Sequence, residues 1–163
     1  MRQKAWLRLR RALEEVLEVH SFDEVTIDML SRQAGITRQA FYYYYHSLPE
    51  YVSDLLRQEL KNMPVVNDSA AELLRYLLKK EEDLHDILKK LYGSSFEREA
   101  DRIIRDSLKT AIWNPNKTEV RLICLEYVLY GLLKDRIEER NTDPRDIVFR
   151  HYVGAVSTIL RIH

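Results

Sequence analysis

The sequence predicts an all-α protein of about nine helices. Glycine and proline, which most often interrupt regular structure, occur only four times each among 163 residues, and this scarcity favours helices over a turn-rich β architecture. Apolar residues recur at helical spacing through most of the chain, and no segment shows the strict alternation of a half-buried strand. Apolar residues make up 45% and charged residues 32% of the sequence, which is typical of a soluble globular protein.

Four helices are predicted in the first third of the chain, each bounded by a capping residue or a turn. Thr26 and Thr37 are good N-caps for two short helices, and Gly35 between them supplies the positive φ of a tight turn. Ser47 and Glu50 have capping-box spacing at the start of a fourth helix. The predicted ranges are about 3–19, 27–33, 38–44 and 48–61.

Five further helices are predicted after a short linker. Ser69 and Glu72 repeat the capping-box spacing, and so do Ser94 and Glu97. Gly93 is expected to end the helix before the second of these pairs. The linker is predicted at about 62–68, and the five helices are predicted at about 69–78, 81–92, 94–113, 117–140 and 144 onwards. The apolar face predicted for the last helix comprises Val148, His151, Tyr152, Ala155, Val156 and Ile159.

The second and third helices have the dimensions of a helix-turn-helix, in which one helix enters the major groove of DNA. The apolar residues expected to hold the pair together are Leu30, Ala34, Ile36 and Phe41. The residues expected to point outward are Thr37, Arg38, Gln39, Tyr42 and Tyr43. Arginine reads guanine and glutamine reads adenine through paired hydrogen bonds, and tyrosine and threonine hydroxyls bind phosphate oxygens. Thr26 adds a hydroxyl and backbone N–H groups at a helix start.

The composition of this segment leaves a second interpretation open, a helical hairpin of another kind of bundle in which the Tyr42–Tyr45 run only packs a surface. The formal net charge of the chain is zero, so its overall electrostatics do not indicate a nucleic-acid partner. The local distribution does, because residues 1–11 carry five basic side chains without an acid, and residues 29–49 also contain no acid.

A resemblance favours the DNA-binding interpretation. It is carried by Phe22, Val25–Thr26–Ile27, the run AGITRQAFYYYYHS at residues 34–47, Glu50 and Tyr51. With these residues, the segment from Leu9 to about Leu55 resembles the N-terminal domain of the tetracycline-repressor (TetR) family. The match covers about a third of the chain and includes the most diagnostic stretch of that family.

The resemblance implies a role for each tyrosine of the recognition helix. Tyr42 and Tyr44 match positions that hold phosphates, and Tyr45 matches a position in the core. Arg38, Gln39 and Tyr43 match positions that face bases or the DNA backbone, so they are expected to do the same here.

Three positions depart from the family pattern. Gln39 stands where glycine is common, which adds a side chain at the DNA surface. Leu48 stands where lysine is common, which removes one phosphate contact. Ser21 replaces the usual glycine before Phe22, which is expected only to shift the loop.

A DNA-binding domain at residues 1–61 is expected to precede a helical dimerisation and ligand-binding domain at residues 62–163. The stretch Tyr127–Leu132 is similar to the next-to-last helix of shorter TetR members, which implies a homodimer formed by the last two helices of each subunit. The leucines of this segment cover more of the helix than one core stripe needs, so part of them is expected to face a partner. They are Leu122, Leu125, Leu129, Leu132 and Leu133. Gly131 would let another helix approach, and a dimer would read a palindromic operator.

The resemblance further implies a small-molecule effector bound among the C-terminal helices. The aromatic residues that are candidates for lining its pocket are Tyr76, Tyr92, Trp113, Tyr127 and Tyr130. Aromatic residues at helical spacing also form cores, and the chain is short for this family, so a protein partner in place of a small molecule stays open.

No metal, cofactor or enzymatic site is predicted. The five histidines show no metal-ligand spacing,, and the sequence contains neither a nucleophile motif nor a phosphate-binding glycine loop. Cys124, the single cysteine, is expected to be a small buried hydrophobe in a reducing cytoplasm,. No apolar run approaches the ~20 residues of a membrane span, so the sequence predicts a cytoplasmic protein without a membrane partner.

Together these observations predict a sequence-specific regulator that binds double-stranded DNA and acts as a repressor released by a small effector. The alternative is a helical co-regulator that keeps the fold and acts through a protein partner. Leu48 and the zero net charge favour that alternative.

Overall fold

The structure is a computed structural model that describes residues 2–66, 71–114, 118–139 and 141–161. These ranges contain eight α-helices, one 3₁₀ turn at Phe22–Glu24 and no strand. The helices are α1 (Arg2–Val19), α2 (Ile27–Gln33), α3 (Arg38–Tyr44), α4 (Leu48–Leu60), α5 (Ala71–Leu91), α6 (Glu97–Ile112), α7 (Glu119–Ile137) and α8 (Arg145–Arg161). The predicted all-α fold class is confirmed.

The helix starts predicted in the first third of the chain are confirmed by their hydrogen bonds. The hydroxyl oxygen of Thr26 accepts from the backbone N–H of Met29 at 3.2 Å, and that of Thr37 accepts from Ala40 at 3.1 Å. Gly35 adopts a φ of +63° in the turn between the two helices. Because caps and turns are interactions between residues close in sequence, they can be predicted without the tertiary structure.

The cap of α4 differs from the predicted box in one bond. The Ser47 hydroxyl accepts from the backbone N–H of Glu50 at 3.2 Å, as expected. The Glu50 carboxylate, however, accepts from the backbone N–H of His46 at 2.8 Å rather than from that of Ser47.

Two of the predicted helices are one continuous helix, α5. Lys79 pairs with Asp83 at 2.7 Å and with Glu82 at 3.6 Å, so i,i+3 and i,i+4 ion pairs cross the predicted gap,. No glycine or proline interrupts the segment, and the buried stripe continues through it at Leu78 and Glu81. The count therefore falls from nine to eight. The predicted cap Ser69 lies outside the described residues.

The predicted start of α6 at Ser94 is wrong by three residues. The hydroxyl of Ser94 donates to the carbonyl oxygen of Leu91 at 2.6 Å and accepts from the backbone N–H of Phe96 at 3.1 Å, so this serine lies between the two helices and is not the N-cap of α6. The Glu97 carboxylate accepts from the backbone N–H of Gly93 at 2.9 Å, and Gly93 has a φ of +87°. α7 begins at Glu119, while the predicted start at Lys117 lies outside the described residues.

The buried apolar side chains form one continuous cluster, from Leu9 in α1 to Val156 in α8. α1 packs against α2 and α5, α4 packs against α6, and α8 packs against α5 and α7. We call α1–α4 the head and α5–α8 the body. None of the described helices is both long and apolar enough to cross a bilayer.

The face of α8 that packs into the body is narrower than predicted. Val148 and Val156 are buried, and Tyr152 and Ile159 are half-buried against the cluster. His151 and Ala155 are exposed, so these two members of the predicted face are wrong. α8 packs against α5 and α7, and the face that carries His151 and Ala155 is not covered by the described residues.

Candidate nucleic-acid interface

α2 and α3 are anchored to the head through buried apolar side chains. Leu30 and Phe41 have no exposed surface, and Ala34 is 8% exposed. Ile36 is half-buried and packs against the same cluster. Each member of the predicted apolar set therefore contributes to holding the two helices together.

An aromatic cluster beneath α3 sets the position of its C-terminal end. The rings of Phe41 and Tyr45 lie 5.7 Å apart, and each packs on Tyr51, at 6.0 Å and 5.2 Å. Tyr45 is 4% exposed, and its hydroxyl donates to a carboxylate oxygen of Asp54 at 2.8 Å. The structural role implied for Tyr45 is confirmed by this burial.

The outer face of α3 is polar and aromatic. Tyr43 is 81% exposed and Tyr42 is 45% exposed, which is unusual for large aromatic side chains,. Arg38 and Gln39 are exposed beside them. Tyr44 is half-buried, with its ring edge-on to Tyr43 at 4.9 Å.

The two capping threonines also lie at this surface. Thr26 and Thr37 are exposed, and each hydroxyl oxygen already accepts a backbone hydrogen bond. Because a hydroxyl can donate while it accepts, each still has a proton to offer to an incoming oxygen. The structure thus places six of the seven predicted DNA-contacting residues on the exposed surface of α2, α3 and their caps and leaves the seventh, Tyr44, half-exposed.

One acidic residue of this surface was missed by sequence reasoning. A carboxylate oxygen of Asp28, in the first turn of α2, lies 3.4 Å from Nε of Arg38. A hydrogen bond to the Tyr42 side chain, together with the charge of Asp28, raises the pKa of Arg38 above its ordinary range. The stretch without acids begins one residue later, at Met29, so it does not include Asp28. The sequence signal that could have identified Asp28 is its position in the first turn of the predicted second helix, where acids are common.

Leu48 does not face solvent as a lysine at that position would. It is the first residue of α4, and its half-buried side chain packs against the core cluster. The departure from the family pattern therefore exchanges one charge at the surface for apolar contact within the head.

Polar contacts tie the head to the body near the turn before α6. The backbone N–H and the hydroxyl of Ser95 donate to Asp23 at 3.1 Å and 2.6 Å. On the neighbouring side, the Ser53 hydroxyl donates to Glu99 at 3.4 Å, and Arg57 lies 3.7 Å from the same carboxylate. The orientation of the head is thus coupled to the N-terminal end of α6.

The structure brings together two of the five aromatic residues predicted to bind a ligand. The hydroxyl of Tyr92 donates to a carboxylate oxygen of Asp101 at 2.6 Å, and the hydroxyl of Tyr130 donates to the same oxygen. Arg105 lies 3.7 Å from the centroid of the Tyr130 ring. Burial and the hydrogen bond to Asp101 raise the pKa of Tyr130 to about 12, and the same two causes raise that of Tyr92 further.

Of the other three aromatic candidates, Tyr127 shares Arg105 with Tyr130, since the guanidinium carbon lies 5.3 Å from the centroid of the Tyr127 ring, whereas Tyr76 and Trp113 lie apart. The Tyr76 hydroxyl donates to the carbonyl oxygen of Glu59 at 2.7 Å, between the head and the body. Trp113 and Tyr127 are 63% and 62% exposed. As placed, the five side chains do not converge on one point.

Grooves of ligand size lie elsewhere, one on the body and one between the head and the body. A groove of about 490 Å³ runs between α5 and α8, beside Arg75 and Phe149. A second groove of about 660 Å³ lies between α1 and α5, beside Glu18 and His85. The apolar cavity between α4, α5, α6 and α7 measures about 20 Å³, which is close to the volume that one water molecule needs.

One face of α7 is apolar and uncovered within the described chain. Val120, Ile123 and Tyr127 are 68%, 45% and 62% exposed. Cys124 is exposed on the same side, so its predicted burial is wrong. A Cβ placed on Gly131 would have no other atom within 4 Å, which leaves room for an approaching helix.

The leucines predicted to face a partner contribute instead to the core of the subunit. Leu125, Leu129, Leu132 and Leu133 are buried, and Leu122 is half-buried. Because α5 and α6 pack on α7 from two sides, they bury more of its circumference than one stripe. The uncovered face is therefore made by the residues between the leucines.

The described residues include no group of three His, Cys, Asp or Glu side chains arranged to hold a metal ion.

Comparison with known proteins relates the chain to solved structures by fold. No family model matches the chain, and no curated protein matches it by sequence. The solved structure of the dihydroxyacetone kinase operon activator DhaS superposes with a TM-score of 0.75 over 96% of each chain at 13% identity. A TetR transcriptional regulator from Rhodococcus sp. RHA1 superposes with a TM-score of 0.58, over 99% of this chain and 98% of that one, also at 13% identity.

Proposed function

We propose that this chain, which has the fold of TetR-type transcriptional regulators, is a sequence-specific DNA-binding regulator. The observation that carries the proposal is the exposure of Tyr43, at 81%, on a helix whose opposite face is anchored by the fully buried Phe41. An aromatic side chain held out by a rigid short helix, beside Arg38 and Gln39, suits contact with the major groove.

Each exposed residue of this surface has a proposed role. Arg38 and Gln39 reach base edges, which their paired donors and acceptors can distinguish. The hydroxyl-bearing side chains contact phosphate oxygens and set the register of the helix on the duplex. The residues in this second group are Thr26, Thr37, Tyr42, Tyr43 and Tyr44.

The proposed regulator is a homodimer that reads a palindromic operator. The uncovered apolar face of α7, at Val120, Ile123 and Tyr127, supports this assembly because burying such a face against a second copy removes apolar surface from water,. The space above Gly131 would admit a helix of the partner. A two-fold axis there would present two α3 helices to successive half-sites.

We further propose that residues 1–61 bind DNA and residues 62–163 dimerise and respond to a signal, in the cytoplasm. The contacts of Asp23 with Ser95 and of Arg57 with Glu99 support coupling between the two parts. A repressor released by a small effector is the proposed mode of control, with Tyr92 and Tyr130 as the paired aromatic residues near it. One structural neighbour is named an activator, so a reporter gene is the measurement that establishes the direction of regulation.

A non-enzymatic co-regulator that acts through a protein partner is the second candidate. The apolar packing of Leu48 supports it, because this position lacks the phosphate-binding charge of the family pattern. Salt separates the two candidates, since phosphate contacts release counterions and affinity then falls steeply with salt concentration.

Selection of bound duplexes from a random DNA library tests the proposal directly. We expect a palindrome to be enriched, with an affinity that falls steeply in a salt titration. Tyr43→Ala should weaken binding to the enriched duplex, whereas Trp113→Ala, which removes another exposed aromatic side chain on the body, should not. Failure of the wild-type protein to enrich any duplex at low salt would contradict DNA binding and favour the co-regulator.

A further inference from the structure

Asp28 is an acid within the surface proposed to meet DNA, next to Arg38. It lies in the first turn of α2, and its side chain is 53% exposed. A carboxylate at this place repels phosphates and so weakens contact with any duplex. Thr26 already provides the side-chain cap of α2, so Asp28 contributes to this helix start only through the helix dipole, an interaction that is weak at an exposed site,.

The geometry of the pair suggests what Asp28 contributes. Its carboxylate oxygen lies 3.4 Å from Nε of Arg38, on the side of the guanidinium that faces back toward α2. A bidentate contact with O6 and N7 of guanine can be made by the two terminal nitrogens of an arginine. The carboxylate therefore holds Arg38 by a nitrogen that this contact does not require.

The strength of the ion pair between Asp28 and Arg38 depends on how much water surrounds it. On the free protein both side chains are more than half exposed, at 60% for Arg38 and 53% for Asp28, and an ion pair in water contributes little. Contact with DNA excludes water from the pair, and the same attraction strengthens as the effective dielectric constant falls. The restraint thus acts mainly in the complex.

We infer that Asp28 is a specificity-determining residue that positions the Arg38 guanidinium for bidentate readout of one guanine in each half-site. Once water is excluded in the complex, the pair restricts Arg38 to one orientation, and only a base whose acceptors match that orientation forms both hydrogen bonds. At a wrong base the guanidinium cannot swing away without leaving Asp28 unpaired beside phosphates. The inference rests on the proposed DNA-binding function and adds the residue that sharpens its base preference.

The test measures base preference in four proteins: the wild type, Asp28→Asn, Arg38→Ala and the double variant. Each binds a set of operators in which every position of the half-site is varied. Asp28→Asn keeps the size of the side chain and removes its charge. Glu18→Gln removes the same charge from an exposed site on α1 and is the matched control.

We expect Asp28→Asn to reduce discrimination at a single guanine position by about tenfold, within the range of one bidentate base contact. Its affinity for unrelated DNA should stay equal or rise, because a negative charge has been removed. In the Arg38→Ala background the same substitution should leave discrimination unchanged, since the two residues act as one unit.

Two results would overturn the inference alone. Unchanged discrimination in Asp28→Asn would show that the pair does not orient Arg38. An equal loss with and without Arg38 would show that Asp28 reads a base itself, for example the amino group of a cytosine. If the wild-type protein enriches no operator at all, the proposed function fails and this inference falls with it.

Discussion

The rings of Phe22 and Phe96 lie 5.6 Å apart and join the 3₁₀ turn of the head to the turn before α6. Both are buried, at 4% and 6% exposed. They form the apolar centre of a contact whose polar rim is the bond between Asp23 and Ser95. This contact is one of the connections between the body and the head, which contains α3.

Truncation of one ring should therefore destabilise the whole protein. We expect Phe96→Ala to lower the free energy of unfolding by about 3–5 kcal/mol, the usual cost of removing a buried phenylalanine ring. Urea denaturation followed by circular dichroism measures it. Trp113→Ala, which removes an exposed ring, should change stability by no more than about 0.5 kcal/mol.

Arg38→Ala should weaken operator binding by about 1–3 kcal/mol and relax the preference at one base pair in each half-site. Tyr42→Phe should weaken binding to all sequences to a similar degree, because a phosphate contact carries no base information. Arg150→Ala removes an exposed arginine of α8 and is the control for charge. Equal operator affinity of Arg38→Ala, Tyr42→Phe and the wild type would rule out the assigned contacts.

Acid should remove one contribution to the stability of the head. The backbone N–H of His46 donates to the Glu50 carboxylate and holds its pKa below the ordinary value of 4.5. A depressed pKa contributes stability above the unfolded-state value, and this contribution is lost as pH falls through the folded-state value. The melting temperature of Glu50→Gln should thus be lower than that of the wild type near pH 7, and the two should converge below pH 4.5. A constant difference across that range would contradict the assignment.

Charge on the uncovered face of α7 should dissociate the proposed homodimer. We expect Ile123→Asp to shift the protein to monomer in sedimentation velocity, because an unpaired carboxylate would be buried between the subunits. The thiol of Cys124 should then react faster with a maleimide, since it lies on the same face. Trp113→Asp places the same charge on an exposed site just after α6 and should leave the assembly intact. A wild-type protein that is already monomeric would disprove the dimer.

Removal of only one partner of the ion pair between Glu81 and Arg136 should lower the stability of the protein. Glu81 is 3% exposed, and its carboxylate accepts from Nε of Arg136 at 2.7 Å and contacts the His85 ring at 2.9 Å. Arg136→Ala should destabilise the protein by about 3–5 kcal/mol, because it leaves a buried carboxylate without its main partner.

A double variant distinguishes this pair from ordinary packing. Glu81→Leu combined with Arg136→Met should be close to the wild type in thermal unfolding, since well-packed apolar residues can replace a buried ion pair. If the double variant loses as much stability as Arg136→Ala, the cost does not arise from an uncompensated charge, and the hydrogen bonds of Arg136 to Glu81 and to the carbonyl oxygen of Asp143 themselves stabilise the protein.

The sequence was most informative where interactions are local. The caps at Thr26, Thr37 and Ser47 and the turn at Gly35 lie where they were predicted, because each joins residues at most four positions apart,. The capping-box spacing at Ser94 misled, since the same serine hydroxyl can close the helix before it. Local patterns thus identify a boundary more reliably than the side of it on which the helix lies.

By itself, the sequence determined the all-α class, the pair of short helices joined by a tight turn and the outward residues of that pair, since helical periodicity, caps and an aromatic-rich short helix are properties of short segments. Only the tertiary structure decided that α5 is continuous, that Cys124 is exposed and the α7 leucines are buried, and that Asp28 lies beside Arg38. Those outcomes depend on which neighbours cover each helix face. Elements that are far apart in the sequence cover these faces when they pack together, so the pattern of residues within a single helix does not show which of its faces will be buried.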